Sequence, residues 1–397
     1  MRFPKRLLCA AAAAVLAISG CTAASAPTGA NSSTEETAEM ELTQKTFTAE
    51  EQYIKPLGRT YMQDGILWLA LSASGVEFTL TGTDASVTIV GDSAISTEDN
   101  QARFAAYVDG ERVLDEMITQ AEQTFEIFSS ETEREVTIRL VKLSEAAQST
   151  LGIKSIDVKS VGDIAPTAEK ELKIEFIGDS ITCGYGVDDE DRNHHFSTST
   201  EDATKAYAYK TAQLLDADYS LVSYSGHGII SGYTTQGKKV AAQQVPNMYE
   251  QLARSYGSYG DFNVSSVDWD FSRFVPDVVV INLGTNDASY TGKDEELIRE
   301  YIDAYIKFLG KVRSNNPDAH IICALGVMGQ DLCDAIDTVV AEYTAQSGDS
   351  NVSAFRLTVQ DGSTNGYAAD WHPTAATHDI AAQEMAEEIQ KVDRYHD

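Results

Sequence analysis

Three side chains of the right kinds for acyl transfer stand in order along this chain: Ser180 in "FIGDSITC", Asn286 in "NLGTND" and His372 in "ADWHPT". A serine hydroxyl is a poor nucleophile until a base takes its proton during attack. Histidine, with an ordinary pKa near ~6.5, is the usual base at neutral pH. The tetrahedral intermediate carries an oxyanion that needs preformed donors, backbone N–H groups and often an Asn amide. A second Gly-Asp-Ser occurs in "IVGDSAIS", ending its tripeptide at Ser93, so the tripeptide alone does not choose the nucleophile.

The flanking elements do choose. From about Phe47 to Ile164 the chain alternates polar and apolar positions in short runs such as "VEFTLTG" and "REVTIRLVKL", with Asp109-Gly110 as a hairpin signal. This grammar predicts many short strands and a β-sandwich of jelly-roll type. After Pro166 strand-like runs ("LKIEFIG", "YSLVSYSG", "PDVVVINLG", "AHIICALG", "NVSAFRL") alternate with helical ones ("DATKAYAYKTAQLLDA", "DEELIREYIDAYIKFLGKVRSN", Leu332 to Gln346, Thr374 to Lys391). That alternation predicts an α/β domain with a parallel sheet, whose ligands sit at the carboxyl ends of the strands. Ser93 falls in the β part and is read as a turn residue. Ser180 follows the first strand of the α/β part, Asn286 follows a later one, and His372 precedes the last helix.

"GDSIT", a glycine turn in "SYSGHG", "GTND" and "HP" together resemble the four blocks of the SGNH, or GDSL-like, hydrolases. With a β domain in front, the chain resembles the second carbohydrate esterase family, acetyl esterases pairing a jelly roll with an SGNH domain, over roughly residues 47 to 395. The resemblance implies a metal-free removal of acetyl groups from polysaccharides such as xylan and glucomannan. It implies Ser180 as nucleophile, His372 as base and then acid, and an oxyanion hole of the Ser180 N–H, the Asn286 amide and a glycine N–H. That glycine is Gly228 when counted from the strand, with Gly226 left open. The family's third triad member stands three residues before the histidine, and here that residue is Ala369. A dyad whose imidazole is fixed by a backbone carbonyl is therefore preferred, with Asp370 kept as the alternative acid. Trp371 and Tyr185 are candidate sugar-stacking platforms, whereas Tyr224 and Trp269 are read as core.

The remaining features bound the function. The 397 residues allow two or three domains, and 43% hydrophobic with 23% charged residues suits a globular chain. Arg2, Lys5 and Arg6, the apolar "LLCAAAAAVLAI" and then "SGC" predict a leader over residues 1–21 ending at a lipidated Cys21, with an ordinary signal cut nearby as the alternative. A Ser/Thr/Ala/Glu-rich linker is expected over 22–45, the β domain over 46–165 and the hydrolase domain over 166–397. The formal net charge of −31, or −34 without the leader's three cations, excludes nucleic acid as a partner and leaves the lipid anchor as the expected membrane contact. Cys183, Cys323 and Cys333 form no CxxC pair, and the acidic "VDDEDRNHHF" lacks metal-ligand spacing, so neither a metal nor a cofactor is expected. The expected protein is an extracellular, surface-tethered monomer acting on acetylated polysaccharide or oligosaccharide. An SGNH hydrolase for lipid or peptidoglycan O-acyl esters, and a non-catalytic glycan-binding lipoprotein, are the competing readings.

Overall fold

"VVVIN" (β13, Val278–Asn282) is buried along its whole length, as a strand covered by helices on both faces must be. It lies in a five-stranded parallel sheet with β11 (Lys173–Gly178), β12 (Asp218–Ser223), β14 (His320–Val327) and β15 (Val352–Val359), in the order β12-β11-β13-β14-β15. This order reverses direction between β11 and β13, and the crevice beyond their carboxyl ends is the topological switch point. The computed structural model describes residues 41–392; Cys21, the leader and most of the linker lie outside them.

Helices cover both faces. On one side Ile174, Phe176, Leu221 and Val280 pack with α2 (Tyr207–Leu214) and α6 (Ala375–Ile389). On the other, Ile177, Val279, Ile281 and Leu325 meet α4 (Glu295–Asn315) and α5 (Cys333–Ser347). The α4 helix starts where expected because the Asp294 carboxylate accepts the Glu296 and Leu297 N–H groups, while Tyr301, Ile302, Tyr305, Phe308, Leu309 and Val312 form its buried stripe. The helix predicted over "DATKAYAYKTAQLLDA" is shorter, because Ala206 is extended and only Tyr207–Leu214 winds as α2. Two short helices complete the domain, α1 (Ser180–Cys183) and α3 (Thr285–Thr291).

Among the described residues the N-terminal half contains ten strands in one antiparallel sheet: β1 (Thr43–Phe47), β2 (Lys55–Leu57), β3 (Thr60–Gln63), β4 (Ile66–Leu69), β5 (Gly75–Gly91), β6 (Arg103–Val108), β7 (Glu111–Met117), β8 (Glu122–Lys142), β9 (Leu151–Ser160) and β10 (Ala165–Pro166). Leu67 of β4 and Phe104 of β6, far apart along the ladder, share one core with Val87, Ile138 and Ile153, so the sheet folds over on itself. The expected many short strands are replaced in part by two long ones. β5 runs 17 residues and β8 runs 21, and both bend at register shifts beside Gly82, where a Cβ would sit 2.2 Å from the Lys159 carbonyl oxygen. β1 begins at Thr43, inside the stretch read as linker, and pairs with β9.

The two halves share apolar clusters. Leu57, Ala73, Ala105, Val141 and Leu143 join one helix–sheet layer, and Ala70, Leu71, Ala146 and Ala147 join the other. Arg59 is fully buried across this boundary, with its guanidinium 3.0 Å from Glu175 of β11 and bonded to the Tyr249 and Gln251 carbonyls.

Candidate active site

Ser180 is positioned by a tight strand-to-helix corner. Asp179 caps α1 by accepting the Ile181 N–H at 3.0 Å, and Gly184 ends it at φ 77°, where a Cβ would lie 2.5 Å from the Asp202 carbonyl oxygen. The Ser180 N–H has no acceptor among the described residues, as expected for the first residue of a helix.

His372 Nε2 lies 2.9 Å from Ser180 Oγ, across 192 positions of sequence. Its Nδ1 lies 3.1 Å from the Ala369 carbonyl oxygen, which fixes the tautomer with the proton on Nδ1 and the lone pair facing the serine. The imidazole is half-buried, and burial pushes its pKa down to about 4 against the opposing pull of the Ala369 carbonyl and the Asp370 charge. The ring is therefore neutral at neutral pH, as a base must be. The loop that carries it is not extended: Asp370 and Trp371 take left-handed φ values of 48° and 64°, a conformation that costs about 1–2 kcal/mol per residue. Hydrogen bonds from Asp370 N–H to the His194 carbonyl and from Ala368 N–H to the His372 carbonyl hold it there.

Asp370 is not the third member of a triad. Its carboxylate accepts the Tyr185 hydroxyl at 2.6 Å and faces His195 Nδ1 at 3.1 Å, while the position facing His372 Nδ1 belongs to the Ala369 carbonyl. The kinked backbone turns the side chain away from the imidazole. Tyr185 is also corrected. Its ring stacks on His372 with centroids 3.9 Å apart and planes 22° apart, and packs on Phe196 at 4.6 Å, which makes it part of the histidine's setting rather than a sugar platform. Trp371 is about half exposed beside His372, with the Arg192 guanidinium 4.2 Å from its ring centroid. Tyr224 and Trp269 are buried. The "VDDEDRNHHF" segment forms a largely exposed loop against the site, joined to it by His194 and His195.

The glycine assignment changes as well. The Gly228 N–H donates to the Gln243 carbonyl at 3.1 Å, so it is committed elsewhere. Gly228 is a glycine for a packing reason: a Cβ there would lie 2.4 Å from Asp287 Oδ2. Gly226, at φ 75° and half-buried, has an N–H without an acceptor among the described residues. Asn286 opens α3 at the other side of the switch point, and its Nδ2 donates to the His227 carbonyl at 2.8 Å and to Asp179 Oδ2 at 3.2 Å. Asp179 is pushed up to about 7 by burial and the nearby Asp287 charge.

Two supports went unread in the sequence. Asp287, fully buried, accepts the N–H groups of Ile229, Ile230 and Ser231 and so anchors the glycine loop; burial raises its pKa to about 6. Glu145, reaching from the β half, accepts the Ser225 N–H at 2.6 Å, immediately before Gly226. Glu145, Glu201 and Cys183 bring three potential ligand atoms within 4.8 Å of one another, but Glu145 Oε2 is already taken by Ser225 and the Cys183 thiol, and Glu201 Oε2 by the Glu145 N–H. Burial raises the Glu201 and Cys183 pKa values, which disfavours the anionic forms that a cation would need there. An acidic residue in a polar stretch gives no sign in sequence that a distant loop will dock on it.

Residues 176–380 match the model of the GDSL-like lipase/acylhydrolase family, and residues 57–167 match that of the carbohydrate esterase 2 N-terminal domain. Among solved structures, a family two carbohydrate esterase from Clostridium thermocellum in complex with cellohexaose is 34% identical with a TM-score of 0.73, covering 85% of this chain and 98% of that one. An acetyl xylan esterase from the rumen bacterium Butyrivibrio proteoclasticus is 25% identical with a TM-score of 0.80, covering 90% and 100%. The cellulase/esterase CelE of Acetivibrio thermocellus is 35% identical over 324 residues, which is 81% of this chain but only 37% of that protein. The chain is thus a carboxylic-ester hydrolase of the GDSL-like lipase/acylhydrolase family and belongs, with its N-terminal β domain, to the family two carbohydrate esterases.

Proposed function

We propose that the protein removes O-acetyl groups from plant-type polysaccharides such as xylan or glucomannan through a Ser180–His372 dyad. The observation that carries this reading is the 2.9 Å contact between Ser180 Oγ and a His372 imidazole whose other nitrogen is held by a carbonyl. As Ser180 Oγ bonds to the acetyl carbon, its proton passes to His372 Nε2 and the carbonyl electrons move onto oxygen. The N–H groups of Ser180 and Gly226 face that charge. The Asn286 amide joins them, because its contact to Asp179 at 3.2 Å is long and that hydrogen turns readily to a stronger acceptor. Collapse of the intermediate returns the proton to the departing sugar hydroxyl, and water repeats the sequence to release acetate. Trp371, exposed beside the base, offers the remaining ring for a sugar face.

The substrate class rests on the relatives, which include acetylxylan esterase/glucomannan deacetylases of Cellvibrio japonicus. Acetate released from acetylated xylan, glucomannan and muropeptides tests it; release from muropeptides alone removes it. p-Nitrophenyl acetate is hydrolysed at least ten times faster than p-nitrophenyl octanoate, and equal rates refute the preference for acetyl. The protein acts as a surface lipoprotein monomer tethered through Cys21, so Cys21→Ala shifts it from the membrane to the soluble fraction of the cells that make it.

A further inference from the structure

A dyad lacks the buried carboxylate that steadies the imidazolium in a triad, and a carbonyl on Nδ1 supplies direction but no full charge. The surroundings of His372 contain another source of stabilisation. The Tyr185 ring lies nearly parallel to the imidazole at 3.9 Å, well inside the ~6 Å over which an aromatic face attracts a cation. Its hydroxyl donates to the Asp370 carboxylate at 2.6 Å, a short charge-assisted bond that draws the phenol proton away and enriches the ring. The carboxylate is held in turn by His195 and by the strained loop. The Gly186 backbone, at φ 60°, lets Ala369 approach so closely that a Cβ at 186 would be 2.7 Å from the Ala369 Cβ, and this proximity brings Tyr185 and the histidine loop together.

We propose that Tyr185 stands in for the absent triad acid: its ring face receives the positive charge that forms on His372, and Asp370, acting through the tyrosine hydroxyl, orients and polarises that ring. The inference rests on the dyad reading above and adds Tyr185 and Asp370 as positioning residues for its proton transfers. When the Ser180 proton reaches Nε2, both ring nitrogens carry hydrogen, and the new charge spreads over a ring already lying on the tyrosine. The charge vanishes when the proton leaves with the sugar oxygen, so the stacking favours the transition state over the resting enzyme. The titratable groups around the pair are Asp370 on the histidine loop, His195 on the acidic insertion, and Glu145 and Glu201, whose charges also act on Tyr185.

The test compares Tyr185→Leu, Tyr185→Phe, Asp370→Asn and the Tyr185→Phe/Asp370→Asn double variant on p-nitrophenyl acetate. Tyr185→Leu lowers kcat about 10-fold with KM little changed, and Tyr185→Phe, which keeps the ring, recovers most of that loss. Asp370→Asn matches Tyr185→Phe, and the double variant is no worse than either single one, because both cut the same link. The acid limb of the kcat/KM profile moves to lower pH in Tyr185→Leu and Asp370→Asn, since the imidazolium loses support. A merely loosened loop would hydrate His372 and move it upward. The NMR titration of the His372 ring reads the same downward shift with no ester present, which separates this inference from the proposed esterase activity. An upward shift, an unchanged kcat in Tyr185→Leu, a loss confined to KM or additive effects in the double variant would each overturn it.

Discussion

At Ser180 and Ser93 the same local device serves two ends. Each follows a Gly-Asp in which the aspartate accepts the N–H two residues on, at 3.0 Å for Ile181 and 2.9 Å for Ala94. Ser93 Oγ accepts the Ser258 N–H and ties the β half to a loop, whereas Ser180 Oγ faces a histidine. Ser180→Ala therefore lowers kcat by at least about 10³, while Ser93→Ala leaves it within about two-fold, both read with p-nitrophenyl acetate. The histidine sets the pH dependence. Burial holds the folded imidazole at about 4, below its ordinary 6.5, so the neutral base persists as pH falls through 6 and 5. Activity declines only as protonation begins near that depressed value, and a kcat/KM profile with an acid limb at 6.5 or above contradicts the environment described. The "ADWHPT" stretch pointed to His372, but not to the groups its imidazole meets. Which side chain faces an imidazole depends on two left-handed residues that carry no glycine to announce them.

At the scale of elements, the switch point between β11 and β13 explains why Ser180 and Asn286 meet although 106 positions separate them. Each stands at the start of a short helix leaving one of two adjacent parallel strands, and the order of those strands follows from right-handed crossovers. The alternation of buried strands with amphipathic helices made this layout legible. The corner after β11 is sterically closed at Gly186, so Gly186→Ala forces a left-handed alanine against Ala369. We expect kcat to fall at least 10-fold through displacement of the histidine loop, with the melting temperature lowered by only a few degrees. Unchanged kcat would show that the loop has room to spare. Counting from the strand pointed to Gly228, although Gly226 also follows β12 within five residues. Only the positions of Gln243 and Asp287 separate a free N–H from a committed one.

For the whole molecule, the β half is fused to the hydrolase half rather than strung before it. Residues from Glu41 onward form a single compact unit, and side chains of the β half enter both helix–sheet layers. Arg59 locks the boundary, fully buried between Glu175 and the rings of Tyr249, Trp269 and Phe271. Arg59→Ala leaves the Glu175 carboxylate buried without its cation, which costs about 3–5 kcal/mol. The loss is read as a lower midpoint in a single denaturant transition covering both halves; two separate transitions would contradict the shared core. Local patterning by itself determined that the chain is a β domain followed by a parallel α/β layer, that Ser180 and Asn286 follow two of its strands and that His372 precedes its last helix. Those features arise from periodicity, turn chemistry and chain order, which are properties of near neighbours. Tertiary structure decided between the carbonyl and Asp370 as the group facing the imidazole, and it alone laid Tyr185 on that ring, left the Gly226 N–H without an acceptor among the described residues and brought Glu145 from the other half to brace its loop. The stacking of Tyr185 and the reach of Glu145 join segments far apart in the chain, and the Ala369 carbonyl, though only three residues before the histidine, is aimed at it by two left-handed residues that no local pattern announces.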